Sequence, residues 1–412
     1  MRWKALLFCL LLGFPAAAQN QTVPDVAPVT QTPPPGVPAS GTPTPLPGPF
    51  ALGDTSGNFN IGAPQLNHWR KAVANVRAGL GRGRLIFVGD STTLGTGAGT
   101  GGLYDLNAAY PKSFPSALSV ILGNFVSTSF NSLAGFQQGQ VAYATYDVRA
   151  TLGANWANSS SESLGAGFFQ YTSGAVNNLS FAPAGAFDTI VVYYYSSAPA
   201  GSATVNVDGG SSLGALTTGG TQTGAKSLSV TTTKGTHTVN VVPDNNGTLY
   251  VDAIVTYDST TPAIDIIQGG HFGAKIVDLV NDAGSAAFIP LQKFAPDLTI
   301  INCTINDSNA GTSLSSYTTN MQSLITEAEL TGDVLLMVGP PSNTTAATNG
   351  TLNQYIAVLR QLAISNNIGL LNIAQRWTSY AVTNPLMPYF DTLHPEAAGY
   401  QDIGSALAGV LQ

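Results

Sequence analysis

The chain has 412 residues, of which 9% are charged; 15 basic residues face 22 acidic ones, for a formal net charge of −7. That length fits one large domain or two ordinary ones. The acidic balance, with no basic patch, argues against nucleic acid and against an anionic membrane surface as partners.

The N-terminus reads as an export signal. Met1-Arg2-Trp3-Lys4 is basic, Ala5–Phe14 is apolar, and Ala16-Ala17-Ala18 offers a small-residue cleavage site. Residues 1–18 are therefore predicted to be a signal peptide cleaved near Ala18, and the mature protein to be secreted or periplasmic. Cleavage takes Arg2 and Lys4 with it and deepens the formal charge to −9. No later stretch reaches the ~18 apolar residues that a membrane span needs. Cys9 leaves with the signal peptide, so Cys303 has no disulfide partner and reads as a buried, inert thiol.

Residues 19–50 alternate Pro with Thr, Val, Gly and Ala, a composition that builds no core and gives an extended, polyproline-like tether. Gln65–Leu80 reads as a helix. Leu85–Val88 is a short apolar run of strand formers. It stops at Gly89-Asp90-Ser91, where a permissive residue and two short polar ones can end a strand and expose a hydroxyl at the carboxyl edge of a sheet. Open α/β sheets bind their ligands at that edge. Ser91 is thus a candidate nucleophile, although a plain Asp-Ser turn has the same appearance. The glycines of residues 95–102 formally match a dinucleotide signature, but they lie past the strand end and no helix starts at them; they read as a mobile loop beside the site. Tyr110–Leu122 reads as the next helix, with Pro111 near its start.

Residues 126–260 differ in character. Gln140–Ala150, Phe187–Tyr195, Ala203–Val207, Ser227–Thr232, His237–Val242 and Leu249–Tyr257 are short runs of β-branched and aromatic residues, separated by turns such as Asp208-Gly209-Gly210. They predict a β-sandwich inserted between two segments of another fold, residues 51–125 and 261–412. Acidic turns at Asp208 and Asp244 raise the question of calcium, but neither has a complete set of oxygen ligands. From Ile264 onward strands and helices alternate: strands Ile264–Ile267, Leu298–Ile301, Val334–Val338 and Leu370–Ile373, with helices Ala274–Asn281, Leu314–Glu329, Asn353–Ile364 and Pro395–Leu411. Regular alternation implies a parallel sheet covered by helices.

The last motif is Asp391-Thr392-Leu393-His394-Pro395. A serine needs a base, and the base needs a carboxylate to hold its tautomer and orientation; Asp391 and His394 can supply both from one turn. Gly89-Asp90-Ser91 together with Asp391 to Pro395 resembles the first and last blocks of the SGNH (GDSL-type) hydrolase family. Gln268-Gly-Gly-His-Phe-Gly-Ala-Lys275 is similar to the family's glycine block, and Asn302-Cys-Thr-Ile-Asn-Asp-Ser308 to its Gly-x-Asn-Asp block, with Thr304 where the family has glycine. The resemblance implies a flavodoxin-like, three-layer α/β/α hydrolase interrupted by the sandwich. It implies Ser91 as nucleophile, His394 as base, Asp391 as its orienting carboxylate, and an oxyanion hole from the amides of Ser91 and Gly273 and the Asn306 side chain. His271, beside Gly273, is a possible substrate contact. Asp90 reads as a turn acceptor and Asp307 as a buttress of its loop. His68 is expected at the surface and His237 as a satisfied strand residue. No cofactor is expected, and no residues have the spacing of a metal site.

The insert is similar to carbohydrate-binding-module sandwiches, and the whole arrangement is similar to peptidoglycan O-acetylesterases. The resemblance therefore implies an exported serine esterase that removes O-acetyl groups from a polysaccharide, either peptidoglycan or an exopolysaccharide. A polysaccharide O-acetyltransferase, a lipase or arylesterase, and a non-catalytic glycan-binding envelope protein remain open alternatives.

Overall fold

Among the described residues, six parallel strands form the central sheet, in the order Gly369–Asn372, Asp333–Val338, Leu298–Asn302, Gly83–Gly89, Ile264–Gly270 and Thr128–Ser129. The structure, a computed structural model, describes residues 57–62, 64–134, 141–159, 168–196, 201–217, 224–280 and 288–412. The expected signal peptide and tether lie outside the described residues.

Burial on both faces accounts for the unbroken apolar strands. Leu85 and Phe87 turn to one side, where they pack with Trp69, Leu118, Ile403 and Leu407 from the helices Asn67–Arg77, Phe114–Leu122 and Ala397–Leu411. Ile86 and Val88 turn to the other side, against Leu279, Met321, Leu324 and Tyr355. These come from helices Ile276–Val280, Leu314–Glu329 and Thr351–Asn366. The result is the expected three-layer α/β/α fold. The indole of Trp69 donates to the Leu411 carbonyl at 2.8 Å and fastens the first helix to the last.

Register puts three strand ends level. Gly89 lies opposite Gly270 on one side and Asn302 on the other. The loops leaving those three strands carry Ser91, Phe272–Gly273 and Thr304–Asn306, so their chemistry converges at one edge.

The inserted residues form two antiparallel sheets. One runs Gly214–Thr217, Ser202–Val207, Val239–Pro243, Leu179–Phe181, Ala150–Leu152. The other runs Gly224–Gly235, Phe187–Ser196, Leu249–Tyr257, Phe168–Tyr171, Trp156–Ser159, with Ser132–Leu133 also paired to Leu249–Tyr257. Ile190, Val192, Tyr194 and Ile254 meet Val205, Val239 and Phe181 in the sandwich interior. The alternate residues Val191, Tyr193, Ala253 and Val255 point the other way and join the hydrolase core. The Tyr193 ring stacks on Phe294, with centroids 3.7 Å apart. Two central strands of the insert are thus buried on both faces, one of them by the hydrolase.

Two expectations change. The stretch Gln140–Ala150 is not a strand: Tyr143–Tyr146 is a one-turn helix, and the strand Ala150–Leu152 only begins at its end, Gln140 itself lying outside the described residues. Tyr143 and Tyr146 bury their rings against Phe169 and Tyr110, and aromatic strand formers serve equally well as helix residues when tertiary packing rewards them. Thr128–Ser129 pairs in parallel with Ile264–Asp265, so the hydrolase sheet takes its edge strand from within residues 126–260.

Candidate active site

Ser91 opens a one-turn helix, Ser91–Leu94, directly after the central strand. Asp90 caps it: one carboxylate oxygen accepts from the Thr92 amide at 2.9 Å and the Thr92 hydroxyl at 2.7 Å. Burial raises the Asp90 pKa, the Thr92 hydrogen bonds opposing it. The turn acceptor read from the sequence is therefore in place.

The turn is held on two further sides. The Asn302 side chain donates to the Thr92 and Thr93 hydroxyls at 2.8 and 3.0 Å. From the opposite neighbouring strand, Gln268 donates to the Thr93 and Leu94 carbonyls at 2.7 and 2.9 Å. Tyr146, from the insert, places its hydroxyl 2.8 Å from the same Leu94 carbonyl and 3.2 Å from Gln268 Oε1. Leu94, Leu106, Ala109 and Tyr110 also belong to the sandwich core. The insert and the Ser91 turn are therefore parts of one packed unit.

Ser91 Oγ lies 2.8 Å from His394 Nε2, although 303 residues separate them. His394 Nδ1 lies 2.7 Å from Asp391 Oδ2. Asp391 Oδ1 accepts the Leu393 and His394 amides, each at 2.7 Å, so the carboxylate is oriented by its own turn. Burial alone would raise the Asp391 pKa, but the hydrogen bonds from His394 and the two amides outweigh it and hold the group below its ordinary value. An ionised carboxylate on Nδ1 fixes the tautomer in which Nε2 can accept a proton from Ser91. Ser91 and His394 are 2% and 6% exposed.

The glycine-rich loop after the turn closes over this pair. Gly97 has φ +90°, and a β-carbon there would stand 3.1 Å from Phe390 Cβ, 3.2 Å from His394 Cβ and 2.6 Å from the Pro395 carbonyl. Only glycine lets the loop approach so closely. Its backbone bonds to residues 104–107, and the Tyr400 hydroxyl donates to the Thr96 carbonyl at 2.6 Å.

Gly273 and Asn306 come from the two neighbouring loops. Gly273 has φ +76° and is exposed. The Asn306 amide donates one hydrogen to the Ala274 carbonyl at 2.9 Å, which orients the group and leaves its second hydrogen able to donate. Asp307 Oδ2 accepts the Ile276 amide at 2.7 Å and ties the asparagine loop to the glycine loop. Thr304 caps the short helix Ile305–Ala310, and its hydroxyl lies 3.1 Å from the Tyr317 hydroxyl. Threonine thus fits where glycine was expected, because its side chain turns into a polar contact. Cys303 is buried, and burial pushes its thiol pKa well up.

His271 is 7% exposed; its amide donates to the Gly89 carbonyl at 2.9 Å, and burial lowers its pKa to about 4, which keeps the ring neutral near pH 7. His68 is exposed. His237 precedes its strand and is satisfied by Asp208 at 2.6 Å and the Thr233 carbonyl at 2.9 Å. Among the described residues, no three His, Cys, Asp or Glu side chains are grouped to hold a metal ion, and no helix is long and apolar enough to cross a membrane.

A serine, an imidazole and a carboxylate joined in that order, at the carboxyl edge of a parallel α/β sheet, define a serine-dependent carboxylic ester hydrolase. Residues 250–401 match the family described as GDSL-like lipase/acylhydrolase. The match begins at the last strand of the sandwich, beyond the Ser91 block. Among solved structures, a peptidoglycan O-acetylesterase shares the fold with a TM-score of 0.65 at 15% identity, over 86% of this chain and 97% of that one. A lipase/acylhydrolase from Enterococcus faecalis is 18% identical over 36% of this chain and 75% of that one, with a TM-score of 0.30. An acetylxylan esterase from Geobacillus stearothermophilus is 20% identical over 36% and 73%, with a TM-score of 0.29. No curated relative matches the chain by sequence.

Sequence reasoning did not single out Gln268, Asn302 or Tyr146 as supports, nor Phe272, whose ring lies beside His394, nor Tyr104, whose ring packs on Phe272. The first two sit inside motifs quoted for other residues. The Tyr146 contact spans 52 residues and has no local signature.

Proposed function

We propose that this chain is an exported serine esterase that removes O-acetyl groups from a polysaccharide. The observation that carries the reading is the unbroken Ser91–His394–Asp391 relay at 2.8 and 2.7 Å.

In the proposed reaction, Ser91 Oγ attacks the acetyl carbonyl carbon and its proton passes to His394 Nε2. Negative charge gathers on the carbonyl oxygen, where the Ser91 and Gly273 amides and the Asn306 side chain are the proposed donors. As the carbon–oxygen bond to the sugar breaks, Nε2 returns the proton to the departing sugar oxygen and an acetyl-serine remains. Water then attacks that ester with Nε2 as base, releasing acetate and restoring Ser91.

A sugar substrate is supported by three features. The fold likeness to a peptidoglycan O-acetylesterase extends over 86% of this chain, more than the GDSL-like segment alone. On the Asn306 side, a shallow depression of about 690 Å³ is lined by Asn309, Asn343, Thr344, Asn349, Thr351 and Thr392, side chains suited to hydroxyl recognition. The leader carries the features of an export signal. The proposal is tested by incubating mature protein with O-acetylated peptidoglycan and acetylated xylan. Acetate release that Ser91→Ala abolishes supports it; release that persists in the variant, or cleavage confined to long-chain acyl esters, would refute it.

A further inference from the structure

We propose that Tyr104 and Phe272 form the aromatic wall on which the sugar carrying the ester stacks. This rests on the esterase reading and adds the place of the leaving group.

Proton delivery locates the sugar. The departing oxygen must take its proton from His394 Nε2, so it must come within hydrogen-bond reach of that nitrogen. The carbohydrate ring attached to it then lies against whatever flanks the imidazole. Phe272 flanks it: the two rings are nearly parallel, 18° apart in plane, with centroids separated by 6.5 Å. Tyr104 extends the surface outward, its ring 4.8 Å from that of Phe272. Phe272 also directly precedes Gly273, so the wall adjoins the proposed oxyanion donor.

The wall opens outward from the buried Ser91–His394 pair. Ser91 and His394 are almost fully buried, whereas Tyr104 is 36% exposed, Leu103 57% and Phe390 42%. A cluster of exposed apolar side chains at a site mouth marks a surface that meets a ligand. Pyranose rings present C–H faces that pack on aromatic faces, while their hydroxyl edges stay available for hydrogen bonding.

The loop holds Tyr104 in place at a cost. Tyr104 and Asp105 have φ of +55° and +49°, left-handed conformations that are strained outside glycine. Three backbone hydrogen bonds fasten this stretch: Gly97 N to the Tyr104 carbonyl at 3.1 Å, Gly99 N to the Asp105 carbonyl at 2.7 Å, and Asp105 N to the Gly102 carbonyl at 3.2 Å. Such conformations persist where the surroundings dictate them, and here they set the ring beside Phe272.

The test compares two substrates on the full-length chain and on Phe272→Leu, Tyr104→Leu and Phe272→Tyr. One substrate is an O-acetylated glycan oligomer, whose leaving group reaches the wall. The other is ethyl acetate, whose leaving group is too small to do so. The Leu variants are expected to lower kcat/KM for the glycan at least tenfold more than for ethyl acetate, chiefly through KM, and Phe272→Tyr to restore most of it. Equal losses on both substrates would overturn the inference, because Phe272 would then only be packing against His394. No loss on either, or a parent enzyme that hydrolyses ethyl acetate through Ser91 yet shows no preference for the glycan, would overturn it as well. The esterase reading fails separately, if Ser91→Ala hydrolyses ethyl acetate as fast as the parent.

Discussion

Tyr146→Phe asks whether the inserted sandwich holds the nucleophile in position. The hydroxyl is buried, 2.8 Å from the Leu94 carbonyl and 3.2 Å from Gln268 Oε1. Phenylalanine keeps the ring and opens no cavity, so the loss is confined to one oxygen. The Leu94 carbonyl keeps its bond from Gln268 Nε2 at 2.9 Å. Gln268 Oε1 loses the hydroxyl, and a buried acceptor deprived of its donor costs about 1–3 kcal/mol. Urea unfolding is therefore expected to show a loss of roughly 1–2 kcal/mol. Because the turn bearing Ser91 loses one of its supports, kcat on a simple acetate ester is expected to fall about fivefold, equivalent to ~1 kcal/mol of barrier. Gln268→Leu strips both carbonyls of the glutamine donor, so the two substitutions act on one network. The double variant should show a coupling energy of about 0.5–3 kcal/mol. Additive stabilities, or a stability loss with kcat untouched, would refute the idea that this contact supports the turn.

Asp391→Asn should keep its turn, because the amide oxygen can still accept the Leu393 and His394 amides. Its NH2 group would face Nδ1 and leave Nε2 protonated, unable to take the Ser91 proton. A fall of about 10⁴ in kcat is expected, the size seen for the same exchange in serine proteases, and steady-state kinetics with a circular-dichroism control checks it. Asn306→Ala should cost ~100- to 1,000-fold in kcat with little change in KM, as for the loss of one oxyanion donor. His271 contributes a stability that depends on pH. Its folded pKa is about 4, below the ordinary 6.5, so the unfolded chain binds the proton first. Stability should be full above pH ~6.5 and decline as pH falls toward 4, by up to about 3 kcal/mol. Urea midpoints measured across that window should slope less in His271→Leu than in the parent; identical slopes would contradict the buried, neutral ring.

The catalytic edge was legible because its signals are local and repeated. Three of the four motifs end a strand, and in a parallel sheet strand ends gather on one edge; the fourth, Asp391 to Pro395, follows the helices Ile373–Arg376 and Tyr380–Thr383. Gly89, Gly270 and Asn302 indeed stand level. Asp391 and His394 share a turn, so their contact needs only three residues. What escaped the sequence reading depends on tertiary packing. The aromatic run at Tyr143 and Tyr146 has strand composition, yet it coils into one helical turn to bury both rings. Thr128–Ser129 is too short to show a period. The left-handed backbone at Tyr104 is invisible in a residue type that rarely adopts it. The sandwich was read as a module placed between two blocks; Tyr193 on Phe294 and Tyr146 on Leu94 show it packed into the hydrolase.

The central claim is that the Ser91 hydroxyl is made nucleophilic by His394. It is tested most directly by treating the mature protein with a fluorophosphonate and mapping the adduct by mass spectrometry. A single phosphonylated residue, Ser91, is expected in the parent, with labelling lost in Ser91→Ala and slowed at least a thousandfold in His394→Ala. Labelling at another residue, or equal labelling in the His394 variant, would contradict it.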